Sequence, residues 1–333
     1  MSWIRDKLRP SAHPKESSSS EMEPCPVCGG ISFLPVTSLR DNRTGSFKEP
    51  FDVARCVGCR LVALRPAPAA DALARGYQDG YGPYPTDTAG GGERSSPTAT
   101  SAIWKRRLRR AWHALDGSVT IDRIPLRGRV LDVGAGQGSD VAFLHSLGLD
   151  AIGLEPNLRA VEVCRMKGLP VIEGTLESAD FEPGSFDVVI LNQVLEHLPD
   201  PHSTLMIVRR LLRPGGSVAI FTPNVTGLPA RAFGDDWAHW HVPYHLYLYG
   251  PAQLRKLLGD AGFEARVPRT LTPAFWLNMS LQARRLRSQR NGQTLPQRNW
   301  QPHPLVRIAI APFFRAIDLA GQGDCLFVLG TKR

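Results

Sequence analysis

From Arg129 onward, short apolar runs alternate with segments whose apolar residues recur every three or four positions. Runs of the first kind suit buried strands and those of the second kind suit helices. Strands are predicted over 129–133, 151–155, 170–172, 186–192 and 217–222, and helices over 138–147, 157–167 and 201–213. Asp200-Pro201 is a good helix start, and Arg213-Pro214-Gly215-Gly216 a good stop and turn. A further helix over 251–261 ends at Gly262, and two late β-like stretches, 263–267 and 325–331, flank a mostly helical span. Strands alternating with helices give an α/β fold with helices on both faces of the sheet. The late pair suits antiparallel addition at the sheet edge.

Upstream the pattern is different. Residues 1–23 are polar and end in the run Ser17 to Ser20, a disordered lead. Cys25-Pro-Val-Cys28 and Cys56-Val-Gly-Cys59 follow, with 27 residues between the two pairs. Two such knuckles direct four thiolates at one ion, so Cys25, Cys28, Cys56 and Cys59 are read as a closed, structural zinc site on a small ribbon. Cys164 and Cys325 lie in apolar contexts and read as buried thiols. A short helix is expected over 71–75. Tyr77, Tyr81 and Tyr84 lead into a Gly/Ser/Thr/Pro-rich linker, and a basic amphipathic helix is expected over 101–115.

The densest signal is Val130 to Gly138, Val-Leu-Asp-Val-Gly-Ala-Gly-Gln-Gly. A strand that ends in a glycine turn and enters a helix gathers backbone N–H groups and a positive helix end at one spot. Glu155 ends the next strand, 23 residues after Asp132. An acid there can accept both ribose hydroxyls of an adenosyl ligand.

These pieces, with Phe186-Asp187-Val-Val-Ile, Leu195-Glu196-His197-Leu and Leu212-Arg-Pro-Gly-Gly, resemble the core of class I S-adenosylmethionine-dependent methyltransferases of the type 11/12/23 kind. The resemblance implies a Rossmann-like sheet of seven strands, with S-adenosylmethionine at the ends of its first strands. Asp132, Gly134, Ala135, Gly136 and Gly138 would surround the methionine part, and Glu155, followed by Pro156, would bind ribose. Thr175 and Leu176 would lie on the adenine side, where many members have an acid, and Asn192 and Gln193 beside the methyl donor. The chain then divides into a lead (1–23), a zinc ribbon (24–66), a linker (67–100), a methyltransferase core (101–267), a helical cap (268–320) and a final strand (321–333).

Methyl transfer asks mainly for alignment and exclusion of water, because the sulfonium is already a good electrophile. A hydroxyl acceptor must also lose a proton, and histidine suits that at neutral pH. His197 follows the strand facing the methyl group. His241 and His245 lie in the aromatic stretch Trp237 to His245 after the fifth strand. The acceptor is expected to be a small molecule or saccharide-like, methylated at oxygen.

The net charge of +9 is concentrated at Lys105 to Arg110 and Arg284 to Arg290. Such clusters attract anions or a membrane surface but equally form solvated helix faces. No Asn/Asp-Pro-Pro-aromatic motif of amino-methylating enzymes occurs, so nucleic acid is a secondary reading, and a zinc-containing binding protein with an inactive methyltransferase domain is a third. No apolar stretch has the length of a bilayer span, and the N-terminus lacks a signal-peptide core, so a cytoplasmic location is expected.

Overall fold

The computed structural model describes residues 23–41, 47–69, 119–288 and 303–333, with residues 71–73, Gly76, His113 and Gly117. The expected lead, the tyrosine-bearing linker and, but for His113, the basic helix over 101–115 lie outside these residues. Among them, no helix is long and apolar enough to cross a membrane.

In chain order, β1 (Phe33–Leu39), β2 (Phe51–Cys56) and β3 (Val62–Leu64) come first. Then follow β4 (Arg129–Val133), α1 (Ser139–Ser146), β5 (Asp150–Glu155), α2 (Leu158–Met166), β6 (Val171–Glu173), β7 (Phe186–Asn192) and α3 (Pro201–Leu211). Next are β8 (Leu212–Pro223), α4 (Leu228–Phe233), β9 (Tyr247–Leu248) and α5 (Pro251–Asp260). The chain closes with β10 (Phe263–Ala265), β11 (Arg269–Leu271), α6 (Ala274–Ser288), α7 (Pro304–Leu319) and β12 (Cys325–Lys332).

The main sheet runs β10-β12-β8-β7-β4-β5-β6. Strands β4 to β8 are parallel within it, while β12 runs antiparallel to β8. The centre is covered on both faces, which is why Val188 to Leu191 of β7 reads as a continuous apolar run. Its alternate residues serve two cores: Val189 and Leu191 pack with Leu131, Val218 and Ile220 on one face, and Val188 and Ile190 with Val130, Ala219 and Phe221 on the other. Truncating a fully buried residue such as Ile190 to alanine would cost about 2–5 kcal/mol.

Helix α3 begins where the sequence signals it. The Asp200 carboxylate accepts from Ser203 N at 2.9 Å, and Pro201 occupies the first turn. Leu205, Val208 and Leu211 form its buried stripe.

Three expectations are corrected. Among the described residues the sheet has eight strands, not seven, because its edge is split: β10 and β11 pair with different halves of β12. The break falls at Val267-Pro268, where proline offers no N–H to the ladder. The span 268–320, expected as helical, opens with the short strand β11 before its helices α6 and α7. Thr270 and Thr272 hold that strand to Asp318 on α7, with Thr270 Oγ1 donating to the Asp318 carbonyl at 2.9 Å. Finally, α3 stops at Leu211 and the expected turn over 213–216 is an irregular strand entry. Leu212 is fully buried opposite Phe186, and the register shifts before Ser217 meets Val188.

The N-terminal segment builds a second sheet, in the order β1-β2-β3-β9. Its fourth strand, β9, comes from the segment that follows β8 in the core. The stretch expected as a separate ribbon over 24–66 is therefore joined edge to edge with the loop after β8.

Candidate active site

At the end of β4, Gly134 and Ala135 donate their N–H groups to the Leu154 carbonyl at 2.8 and 3.1 Å, which bends the chain across β5. Gly134 has φ 70°, and a Cβ there would lie 2.6 Å from Val194 Cγ2. Glycine is required for both reasons. The close approach also brings the turn against the segment after β7. Gly138, at φ 77°, caps α1.

Glu155 closes this turn from β5. Its Oε2 accepts from Gly136 N and its Oε1 from Asn157 N, both at 2.9 Å. Burial raises its carboxyl pKa, while these two N–H groups pull it down. Asp132 is buried beneath, and desolvation, then Asp140 and Glu155, push it well above the usual carboxylate range. Asn192 at the end of β7 donates to Asp140 Oδ2 at 3.1 Å. Three carboxyl groups thus gather at the strand ends, a setting that favours a cationic ligand.

The other residues expected around the cofactor are distributed unevenly. Ala135 is buried against α2, whose Cys164 thiol donates to the Gly136 carbonyl at 3.3 Å. Pro156 and Thr175 are exposed near the same strand ends, whereas the Leu176 side chain is buried in the core. Gln193, in left-handed conformation at φ 57°, directs its amide to Cys325 Sγ at 3.5 Å. Asp140 was not among the expected residues. Its signal was an acid in the first turn of the helix that follows the glycines.

A second cluster stands beyond Val194, in the turn Leu195–His197. Glu196 is fully buried. Burial pushes its carboxyl up to about 8, although Thr222 Oγ1 donates to its Oε2 at 2.9 Å. Its Oε1 is also buried and has no hydrogen-bond partner among the described residues. His197 places Nδ1 3.0 Å from the Tyr244 carbonyl, and His245 places Nδ1 2.7 Å from the His239 carbonyl. A carbonyl only accepts, so each Nδ1 carries the hydrogen and each neutral ring has its basic nitrogen at Nε2. His241 Nδ1 lies 3.4 Å from His245 Nε2.

The structure thus brings all three expected histidines together. Ligand atoms of Glu196, His197 and His245 lie within 4.8 Å of one another, a separation that one water or cation can bridge. In the sequence Glu196 is simply the residue before His197; its closeness to His245 depends on the fold.

The histidine loop is anchored from below. Trp237 Nε1 donates to Asp324 Oδ1 at 2.7 Å, Trp240 Nε1 to the Gly234 carbonyl at 2.8 Å, and Ala238 N to Ser280 Oγ at 3.0 Å. Arg284, from the second basic cluster, pairs with Asp236 at 3.3 Å. Its guanidinium therefore also holds this loop rather than forming only a solvated face.

Cys25, Cys28, Cys56 and Cys59 converge in the N-terminal sheet, with sulfurs within 4.8 Å of one another. Cys25 Sγ and Cys59 Sγ are 3.5 Å apart, as are Cys28 Sγ and Cys56 Sγ. Tetrahedral zinc with bonds of about 2.3 Å separates its sulfurs by about 3.8 Å, so the donor set fits that ion. A Cβ at Gly58 would lie 3.3 Å from Cys28 Sγ, so the knuckle has little room for a side chain. Burial raises the Cys56 thiol, but N–H groups of Cys59 and Gly58 and the neighbouring thiols outweigh it and bring it down to about 7.

A methyltransferase-domain family matches residues 102–266. The ubiquinone biosynthesis O-methyltransferase of Thiobacillus denitrificans is 31% identical over 156 residues, which cover 43% of this chain and 67% of that enzyme. The enzyme of the same name from Methylococcus capsulatus is 40% identical over 107 residues, 30% of this chain and 45% of the relative. A solved S-adenosylmethionine-dependent methyltransferase from Thermotoga maritima aligns at 20% identity and a TM-score of 0.45, covering 70% of this chain and 96% of that one. Strand β4, the glycine turn and Glu155 lie inside the matched residues. The chain belongs to the class I S-adenosylmethionine-dependent methyltransferases.

Proposed function

We propose that this protein transfers the methyl group of S-adenosylmethionine to a hydroxyl of a small-molecule acceptor. Asp132, Gly134, Ala135, Gly136 and Gly138 hold the methionine part, with Asp140 facing its positive charge. Glu155, followed by Pro156, takes the ribose hydroxyls; Thr175 and the backbone at Leu176 flank the adenine, and Asn192 and Gln193 border the methyl end. As the acceptor oxygen attacks, the C–O bond forms, the C–S bond breaks, and the hydroxyl proton passes to an imidazole. His245 is the base, and His197 and His241 orient it. A zinc ion held by Cys25, Cys28, Cys56 and Cys59 has a structural role.

The observation that carries this reading is the pair of imidazoles, His197 and His245, each with Nδ1 tied to a backbone carbonyl, next to the turn that packs on Gly134. Transfer to oxygen is further supported by the name shared by the Thiobacillus and Methylococcus relatives. The test is incubation with methyl-labelled S-adenosylmethionine and a panel of small phenols and other hydroxy compounds, with the product located by mass spectrometry. Label on oxygen is expected. Label confined to nitrogen, carbon or nucleic acid would overturn the assignment.

A further inference from the structure

The two halves of the site are fastened to different parts of the chain. The glycine turn is bonded within its own unit: Gly134 and Ala135 to Leu154, Gly136 to Glu155, and Asn192 to Asp140. The histidine loop is bonded to the cysteine module.

Leu246, directly after His245, is the junction. Its N–H donates to the Glu196 carbonyl at 2.8 Å, while its own carbonyl accepts from Leu64 N at 3.1 Å. One residue thus links the Leu195–His197 turn to β3. The pairing continues with Ala63 opposite Tyr247 and Val62 opposite Leu248.

Further contacts reinforce the join. Thr37 Oγ1 donates to Asp235 Oδ1 at 3.1 Å, and Gln253 Nε2 donates to the Cys59 carbonyl. Val53, Val62 and Leu64 line one narrow seam together with Trp240, His245 and Leu246. The three residues of β3 are too few to hold a position alone. Their start is set by the knuckle, where Cys56 N donates to the Leu61 carbonyl at 2.8 Å and Arg60 N to the Cys56 carbonyl at 2.9 Å.

We propose that the four-cysteine module positions the acceptor side of the site: the filled thiolate site fixes β3, β3 fixes the peptide of Leu246, and Leu246 sets His245 against Glu196 and His197. The donor side is outside this chain of bonds, so metal loading governs turnover without governing cofactor affinity. The proposal rests on the reading of these histidines as acceptor-side residues.

The test uses the full chain in three forms: untreated, stripped of metal with a chelator, and carrying Leu64→Pro, which removes the N–H given to Leu246 and leaves all four thiols. Amide hydrogen exchange at Leu246 and Leu248, S-adenosylmethionine affinity by calorimetry, kcat and bound zinc are measured on each. In both altered forms, exchange at these amides is expected to accelerate and kcat to fall about tenfold or more. Cofactor affinity is expected to stay within about twofold, and Leu64→Pro to retain its zinc.

Unchanged exchange and kcat in either form would overturn the proposal. So would a loss of cofactor affinity parallel to the loss of kcat, because the module would then support the whole fold. An untreated chain that lacks bound metal yet protects Leu246 would contradict it as well. Exchange at Leu246 does not depend on the reaction catalysed, so a failure of the hydroxyl-methylation reading is distinguishable from a failure here.

Discussion

The imidazoles of His197 and His245 meet edge to face with ring centres 4.6 Å apart, although one follows β7 and the other precedes β9. Neither ring could hold this position from its own turn alone. If His245 takes the acceptor proton, His245→Ala lowers kcat by about 10²–10⁴-fold, the usual worth of a positioned base. His197→Ala lowers it less, and the double variant falls short of the product of the two effects, because the residues act as a unit. Steady-state kinetics with calorimetric cofactor binding checks this; S-adenosylmethionine affinity stays within about twofold throughout.

Gly134→Ala places a methyl group 2.6 Å from Val194 Cγ2 in a residue at φ 70°. It should weaken cofactor binding and lower the melting temperature. Adding Val194→Ala relieves the clash and not the backbone strain, which costs about 1–2 kcal/mol. Partial recovery in the double variant, read by thermal unfolding and calorimetry, is expected.

Glu196 gives stability a pH dependence whose sign is fixed. Burial lifts its carboxyl from the ordinary 4.5 to about 8. Across that window the folded chain holds a proton that the unfolded chain has released. Its contribution is present in full below 4.5 and is lost as pH rises towards about 8, at about 1.4 kcal/mol per pH unit. Urea unfolding from pH 5 to pH 8 should show this slope in the wild type and a shallower one in Glu196→Gln. Equal slopes would contradict it.

Asp324 supports the histidine loop through Trp237 Nε1, and its Oδ2 stands 3.5 Å from His239 Nε2. Asp324→Ala leaves a buried indole N–H without its acceptor and costs about 1–3 kcal/mol. Asp324→Asn keeps an acceptor and costs less. Denaturant midpoints distinguish the two.

What the sequence made legible is local. Asp132, the three glycines and Glu155 belong to a strand, a turn and the next strand, so their spacing carries their geometry. The two CxxC pairs are legible for the same reason, since each knuckle is a tight turn. Glu196 beside His245, and Leu64 bonded to Leu246, depend on strand register between segments far apart in the chain, which hydrophobic periodicity does not encode. The split edge strand was half visible: Pro268 marked the break, but only pairing with β12 made Arg269–Leu271 a strand. In sequence Asp140 is an ordinary first-turn acid, and only the fold sets Asn192 against it.

Titration calorimetry of S-adenosylmethionine into the wild type, Glu155→Ala and His245→Ala tests the division of the site most directly. We expect one saturable site per chain, weakened at least about tenfold in Glu155→Ala, because a charge-assisted pair of hydrogen bonds is lost, and unchanged in His245→Ala. Equal affinity in the wild type and Glu155→Ala, or no binding to the folded wild type, would contradict it.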